Sequence, residues 1–188
     1  MKHPKIVTAV LTTAILLVLV IVIGLIVVYS GLPDVAASKP EGAVTSWVLG
    51  TTMEHSVRRR AAGISPDLAR ADLAEGAEHY AAMCTMCHGG LGNVPPSYIG
   101  LGLNPAPPAL RDAAGDWKPG ELHWIIEHGI KMTGMPAFGK THSPEHLTNI
   151  TAFVEKMPTM AAEEDEPLTG AGPATSMPAA ADSPHRQD

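Results

Sequence analysis

The chain has 188 residues, a formal net charge of −6 and two cysteines. This length leaves room for one modest domain with attached segments. The mild excess of acidic residues speaks against nucleic-acid binding and is compatible with docking to a basic surface on a partner protein.

The first predicted element is a membrane anchor. Residues 6–29 are apolar or small throughout and carry no charge, so this run can cross a bilayer as one helix. A cleavable signal peptide has a shorter apolar core of about 7–15 residues, and an uncleaved helix is therefore expected. The small residues at 35–37 keep cleavage open as an alternative. Because Lys2 and Lys5 precede the span and only Lys39 follows it closely, residues 1–5 are predicted to be cytoplasmic.

Residues 30–66 are predicted to be a linker that contains an amphipathic helix over residues 43–60. Apolar and small side chains recur there at helical spacing: Val44, Trp47, Val48 and Thr51. Such a helix either lies on the membrane surface or packs against the domain that follows.

Residues 67–158 are predicted to form the compact domain, and its pattern is helical. One helix is expected over 67–83, and a second over 119–128, with a proline in the first turn and Gly129 at the end. Ser143 predicts the start of a third helix as its N-cap, and Pro158 predicts its end. Gly and Pro crowd residues 89–112, so no strand is expected there, and the fold class is all-α with long loops. A loop of that length in a compact domain needs something to wrap around.

The last segment, residues 159–188, holds no aromatic residue and almost no large aliphatic one. So little apolar surface cannot offset the conformational entropy of the chain, and this acidic, Pro- and Ala-rich tail is predicted to be disordered.

The two cysteines lie in the sequence Cys84-Thr85-Met86-Cys87-His88. The pattern C-x-x-C-H is the attachment signature of c-type haem, in which both sulfurs form thioethers and the histidine ligates the iron. A structural zinc site would need further ligands, and a thioredoxin-like site would need a neighbouring βαβ pattern. A disulfide would close too short a loop to stabilise the chain much. We therefore predict one covalently attached haem c, with iron bound by His88.

A second axial ligand is expected later in the chain. Met132 and Met135 lie between glycines in GIKMTGMPAFG, and a thioether is a known partner of histidine in electron-transfer haems. Either methionine could instead simply fill the core.

The stretches AEHYAAMCTMCHGG, PPAL, GMPAFG and ITAFVEKMP, in this order, resemble the mono-haem class I c-type cytochromes over residues 67–158. The resemblance implies the class I cytochrome c fold, preceded here by the transmembrane helix. It also implies that Met135, which precedes a proline, is the distal ligand in preference to Met132. The carbonyl of Pro108 would accept a hydrogen bond from the proximal histidine, and Leu110 would pack on the haem.

Further positions follow from the same resemblance. Gly76 and Tyr80 match the pair where the first helix of the domain crosses the last, with Phe153 on the facing helix. Trp124 would lie near the haem edge, or would be an ordinary core aromatic. Five other histidines have polar neighbours and are expected to be exposed rather than ligating: His79, His123, His128, His142 and His146.

The expected function is one-electron transfer in a periplasmic respiratory chain, by a protein anchored in the bacterial cytoplasmic (inner) membrane by a single helix. With histidine and methionine both on the iron, no enzymatic activity is expected. The expected partners are an electron-donor and an electron-acceptor protein. Two alternatives are a cytochrome subunit of a larger dehydrogenase or terminal oxidase, and a haem-based gas sensor.

Overall fold

The computed structural model describes residues 4–90 and 96–160. The chain divides into two compact units, the first ending at Lys39 and the second beginning at Pro40. The described residues contain helices, turns and loops and no strand, which confirms the all-α prediction. Three predicted features extend beyond the described residues: the cytoplasmic N-terminus at residues 1–3, the Gly- and Pro-rich loop at 91–95, and the tail from residue 161 onward.

The first unit is dominated by one long apolar helix, α1, which spans Pro4–Ser30. The hydroxyl groups of Thr8 and Thr12 donate hydrogen bonds to backbone carbonyls one turn earlier, both at 2.9 Å, so these two polar side chains are satisfied within the helix. By length and composition α1 could cross a membrane, and it is the one described helix that could. It contains the whole span predicted at 6–29.

The second unit begins with helix α2, Ala43–Arg60. The apolar side chains near its start are exposed, as at Val44 and Trp47, whereas Val57 near its end is buried. Helix α7, Pro119–His128, contacts α2, and a Cβ built on Gly120 of α7 would meet the backbone oxygen of Ile64. Packing in this unit therefore begins earlier in the chain than the predicted start of the domain at residue 67.

The centre of the unit is a close crossing of two helices, α3 (Leu73–His79) and α8 (Pro144–Lys156). A Cβ built on Gly76 of α3 would fall on the carbonyl oxygen of Asn149 and 3.1 Å from Cβ of Phe153. Only a glycine permits this approach. The ring of Tyr80 lies 5.3 Å from the ring of Phe153, which closes the crossing with a buried aromatic pair.

Side chains at the helix starts set the helix boundaries. The carboxylate of Asp72 accepts hydrogen bonds from the backbone N–H groups of Ala74 and Glu75, so α3 begins at Leu73 rather than at residue 67. Ser143 caps α8 through the N–H of His146, as predicted. Helix α7 has the predicted bounds, and at its start the Glu121 side chain accepts a hydrogen bond from the N–H of Lys118 at 2.8 Å.

Between α3 and α7 the chain forms short helical pieces. A π turn, Tyr80–Cys84, joins α3 directly to helix α4, Thr85–His88. The Gly- and Pro-rich segment holds two one-turn helices that the sequence does not predict, α5 (Tyr98–Leu101) and α6 (Leu110–Ala113). Together, α3, α7 and α8 supply most of the buried core, and Cys84, Leu110 and Met135 pack against that core.

Candidate functional site

The site is built around α4, which carries Cys84 as its N-cap and Cys87 within its single turn. Both cysteines are unpaired and half-buried. Burial, with a smaller contribution from Cys87, raises the pKa of the Cys84 thiol to about 12. The neutral thiol therefore predominates near pH 7, unlike the thiolate that reactive or zinc-binding cysteines use. Among the described residues, neither cysteine belongs to a group of three side chains that could hold a metal ion.

The His88 imidazole is held by one hydrogen bond, in which Nδ1 lies 2.8 Å from the backbone oxygen of Pro108. A carbonyl can only accept, so Nδ1 carries the proton and the lone pair lies on Nε2. Burial lowers the pKa of His88, although the bond to Pro108 acts in the opposite direction. The neutral ring therefore has Nε2 available as a metal ligand.

Helix α5 packs directly against the backbone of α4. A Cβ on Gly100 would lie 2.8 Å from the carbonyl oxygen of Met86 and 2.9 Å from that of Cys87. The N–H and the hydroxyl group of Ser97 both donate to the oxygen of Met86, at 3.0 and 2.8 Å. These contacts fix the segment after the C-x-x-C-H motif against the motif itself.

The two candidate methionines differ sharply in environment. Met132 is 91% exposed and adopts a positive φ of 63° at the tip of its turn. Met135 is half-buried and packs against the core, as Cys84 and Leu110 also do. The N–H of Met135 donates to the Thr133 hydroxyl oxygen at 3.1 Å, which steadies the turn between the two methionines.

The loop that carries Met135 is also fixed at its base. Gly129 ends α7 with a φ of 63°, and a Cβ there would lie 2.6 Å from the backbone of Pro136. A side chain at position 129 would meet both the strained backbone conformation and this close approach. The loop therefore returns onto the end of the helix from which it leaves.

Two aromatic residues near the site have distinct roles in packing. The hydroxyl group of Tyr80 donates to the carbonyl oxygen of Gly89 at 2.7 Å, which ties the core to the end of the motif. Trp124 is half-buried and stacks on the ring of His128, with centroids 4.7 Å apart and planes 7° apart. Trp117, which the sequence did not single out, also packs against the core.

The histidines outside the motif are less exposed than expected. Of the five expected to lie in solvent, only His128 is exposed, and the other four are half-buried. Three of these come together in space: His79 from α3, His146 from α8, and His142 from the turn before α8. The sequence gives no sign of this cluster, because its members belong to distant parts of the chain.

The residues of the motif fit a covalently held haem by the chemistry of their donor atoms. Two cysteine sulfurs lie on one helical turn, an oriented imidazole has a free Nε2, and a thioether sulfur lies in apolar surroundings. These are the groups that c-type haems use for attachment and for axial ligation.

Comparison with known proteins agrees with this chemistry. Residues 71–154 match the family model described as cytochrome c oxidase, cbb3-type, subunit III. No curated protein and no solved structure matches the chain. The matched residues include the motif, the loop with Met135, helix α3 and all but the last two residues of α8. Residues 71–154 are therefore a c-type cytochrome domain, which implies covalently bound haem c with its iron.

Proposed function

We propose that the chain transfers single electrons through one haem c, with His88 and Met135 as the axial ligands. The observation that carries the proposal is the bond from His88 Nδ1 to the Pro108 oxygen, because it fixes the tautomer and aims Nε2 away from the backbone. Haem c, when bound, supplies the reversible ferrous–ferric couple. The resemblance to mono-haem cytochromes supports a single haem.

Each residue of the site has a separate role in this proposal. Cys84 and Cys87 would hold the haem through thioether bonds, and His88 would bind its iron. Pro108 orients the imidazole and strengthens its basicity through the carbonyl group. Leu110 adds apolar surface, and Met135 provides the soft distal ligand from a loop that Gly129 fixes at its base.

This ligand pair favours an electron carrier over an enzyme. His88 and Met135 together would occupy both axial positions, so no position would be left for a substrate. A thioether ligand also raises the reduction potential relative to a second histidine. The chain would therefore accept an electron from one protein and pass it to another.

The distal ligand is tested by two matched substitutions in the haem-loaded protein. We expect Met135→Ala to abolish the absorption band that arises from charge transfer between sulfur and ferric iron, and to lower the reduction potential. Met132→Ala is the control, because that side chain is 91% exposed in the same loop. It should leave both properties nearly unchanged. The opposite pattern would assign the ligand to Met132 and contradict the proposed register of the loop.

We propose that the domain faces the periplasm from the bacterial cytoplasmic membrane. Helix α1 is long and apolar enough for one crossing, and the lysines before the apolar span at 6–29 favour a cytoplasmic N-terminus. The protein should then fractionate with membranes and resist extraction by high salt. Protease added to intact spheroplasts should remove the haem domain, and protection of the domain would contradict this topology.

A stable place as a subunit of a larger oxidase is a second candidate, and the description of the matched family supports it. The matched family is described as a subunit of a cbb3-type cytochrome c oxidase. Purification in mild detergent distinguishes the two cases. A co-purifying oxidase at constant stoichiometry would support the subunit, and isolation of the chain alone would support the carrier.

A further inference from the structure

A second group of metal-ligating side chains lies outside the haem motif, where α3 crosses α8. Glu75 and His79 are one turn apart on α3, so their side chains share a face of that helix. His146 faces them from the first turn of α8. Among the described residues, this is the one group of three such side chains whose ligand atoms all lie within 4.8 Å of one another.

The distances within the group suit a small cation. Oε1 of Glu75 lies 3.1 Å from Nε2 of His146 and 3.7 Å from Nε2 of His79. Ligands at the bond lengths of tetrahedral zinc are about 3.3 Å from one another. The two distances from Glu75 are close to this spacing, and all three ligand atoms lie within 4.8 Å of one another.

The carboxylate of the group is already held in place. Oε2 of Glu75 accepts a hydrogen bond from Nδ2 of Asn149 at 2.6 Å, and Asn149 is buried at 3% exposure. Oδ1 of Asn149 in turn accepts from the N–H of Asp72. Such outer contacts fix the orientation of a metal-binding carboxylate and leave its other oxygen free.

An ion could reach the group from solvent. The side chains of Glu75, His79 and His146 are 35%, 26% and 40% exposed. His142 borders the group, with its ring centroid 5.4 Å from that of His79, but it is not among the side chains whose ligand atoms all lie within 4.8 Å of one another. Water is the simpler source of a fourth ligand.

We propose that Glu75, His79 and His146 bind one divalent transition-metal ion of the zinc class. Two imidazole nitrogens and one carboxylate oxygen are ligands that Zn²⁺ accepts, with one position left for water. The ion would join α3 to α8 at the crossing where Gly76 meets Asn149. It would therefore strengthen the contact on which the core of the domain depends.

The test is calorimetric titration of the full-length, haem-loaded protein with zinc chloride, after treatment with chelator and without a polyhistidine tag. Wild-type protein should bind one zinc ion. Glu75→Gln and His146→Gln should each weaken binding by more than about 100-fold, because loss of a ligand exceeds the 10–100-fold cost of losing an outer contact.

Two other histidines serve as controls. His55→Gln changes an exposed residue of α2, and His142→Gln changes the neighbour that is assigned no bond to the ion. Both should bind zinc as the wild type does. Haem absorption and far-ultraviolet circular dichroism show whether each variant is folded, and His79→Gln replaces any variant that is not.

A second measurement needs no substitution. A ligand that binds only the folded state raises the melting temperature as its concentration increases. Zinc should therefore raise the melting temperature of the wild type, and chelator should lower it again. The proposal would be overturned if the wild type failed to bind zinc. It would also be overturned if Glu75→Gln and His146→Gln bound zinc with the same affinity as the wild type. In that case Glu75 would simply be a hydrogen-bond acceptor for the two imidazoles.

Discussion

The close crossing of α3 and α8 predicts an unusual cost for a small substitution, Gly76→Ala. The added Cβ would fall on the carbonyl oxygen of Asn149, 2.7 Å from its carbon and 3.1 Å from Cβ of Phe153. Carbon atoms prefer separations of about 3.5–4.0 Å, so α8 would have to move outward by about 0.8 Å. The obstacle is backbone in a buried helix, and it cannot rotate away as a flexible side chain could.

The magnitude follows from two opposing effects. Overpacking costs up to about 3 kcal/mol when the surroundings cannot adjust. Replacing a helical glycine by alanine returns about 1 kcal/mol of helix propensity. The net loss is about 2 kcal/mol, which corresponds to a fall in melting temperature of about 8–16 °C for a domain of about 100 residues.

The assay is thermal unfolding of the haem-loaded protein, followed by circular dichroism. Gly50→Ala in α2 is the matched control, since nothing lies within 4 Å of a Cβ at that helical position. The Gly50→Ala variant measures the change in helix propensity alone, and it should not lower the melting temperature. If Gly76→Ala melted at or above the wild-type temperature, the two helices could not approach as closely as described.

Three further changes test other parts of the unit. Tyr80→Phe leaves the buried Gly89 carbonyl unsatisfied and should cost about 1–2 kcal/mol in urea unfolding, whereas Tyr98→Phe, at an exposed ring, should be neutral. Asp72→Ala removes the cap of α3 and should cost about 1 kcal/mol; no loss would mean that water replaces the cap. Burial lowers the pKa of His123 below 6.5, so the unfolded chain binds its proton first and stability declines as pH falls below 6.5. His123→Gln should reduce that decline, and an unchanged decline would assign it to other groups.

Helix boundaries were predictable where residues with strong local preferences mark them. Pro119 and Gly129 delimit α7, and Ser143 followed by Pro144 opens α8. Proline at the first helical position, glycine after the last, and a hydroxyl at the N-cap act on their own backbone. No distant contact is needed to interpret them.

Features that depend on distant contacts were not predictable. Residues 67–72 continue the apolar spacing of a helix, yet the carboxylate of Asp72 starts α3 later, and Asn149 holds the N–H of Asp72. Helix α5 forms inside a Gly- and Pro-rich segment because Ser97 bonds to the backbone of Met86. Neither contact could be inferred from the local helix propensity of these residues.

The same division applies to the candidate site. The motif residues are adjacent in sequence, so their chemistry could be predicted from the pattern alone. The preference for Met135 over Met132 came from resemblance, because the residues themselves left both open. The group of Glu75, His79 and His146 depends on the crossing of two helices, and no local pattern indicates it.

The π turn at Tyr80–Cys84 also determines the direction in which the motif faces. An α-helix rotates by about 100° per residue, so in a regular helix Cys87 would point within about 20° of Gly76, eleven positions earlier. A π turn uses one additional residue, which sets everything after it back by about one residue's rotation, about 100°. One continuous helical rod can thus direct Gly76 toward α8 and Cys87 toward a different neighbour. Deleting a single residue between 80 and 84 would restore regular winding and leave ten positions between Gly76 and the cysteine, a rotation of about 1000°, so the sulfur would keep its present direction.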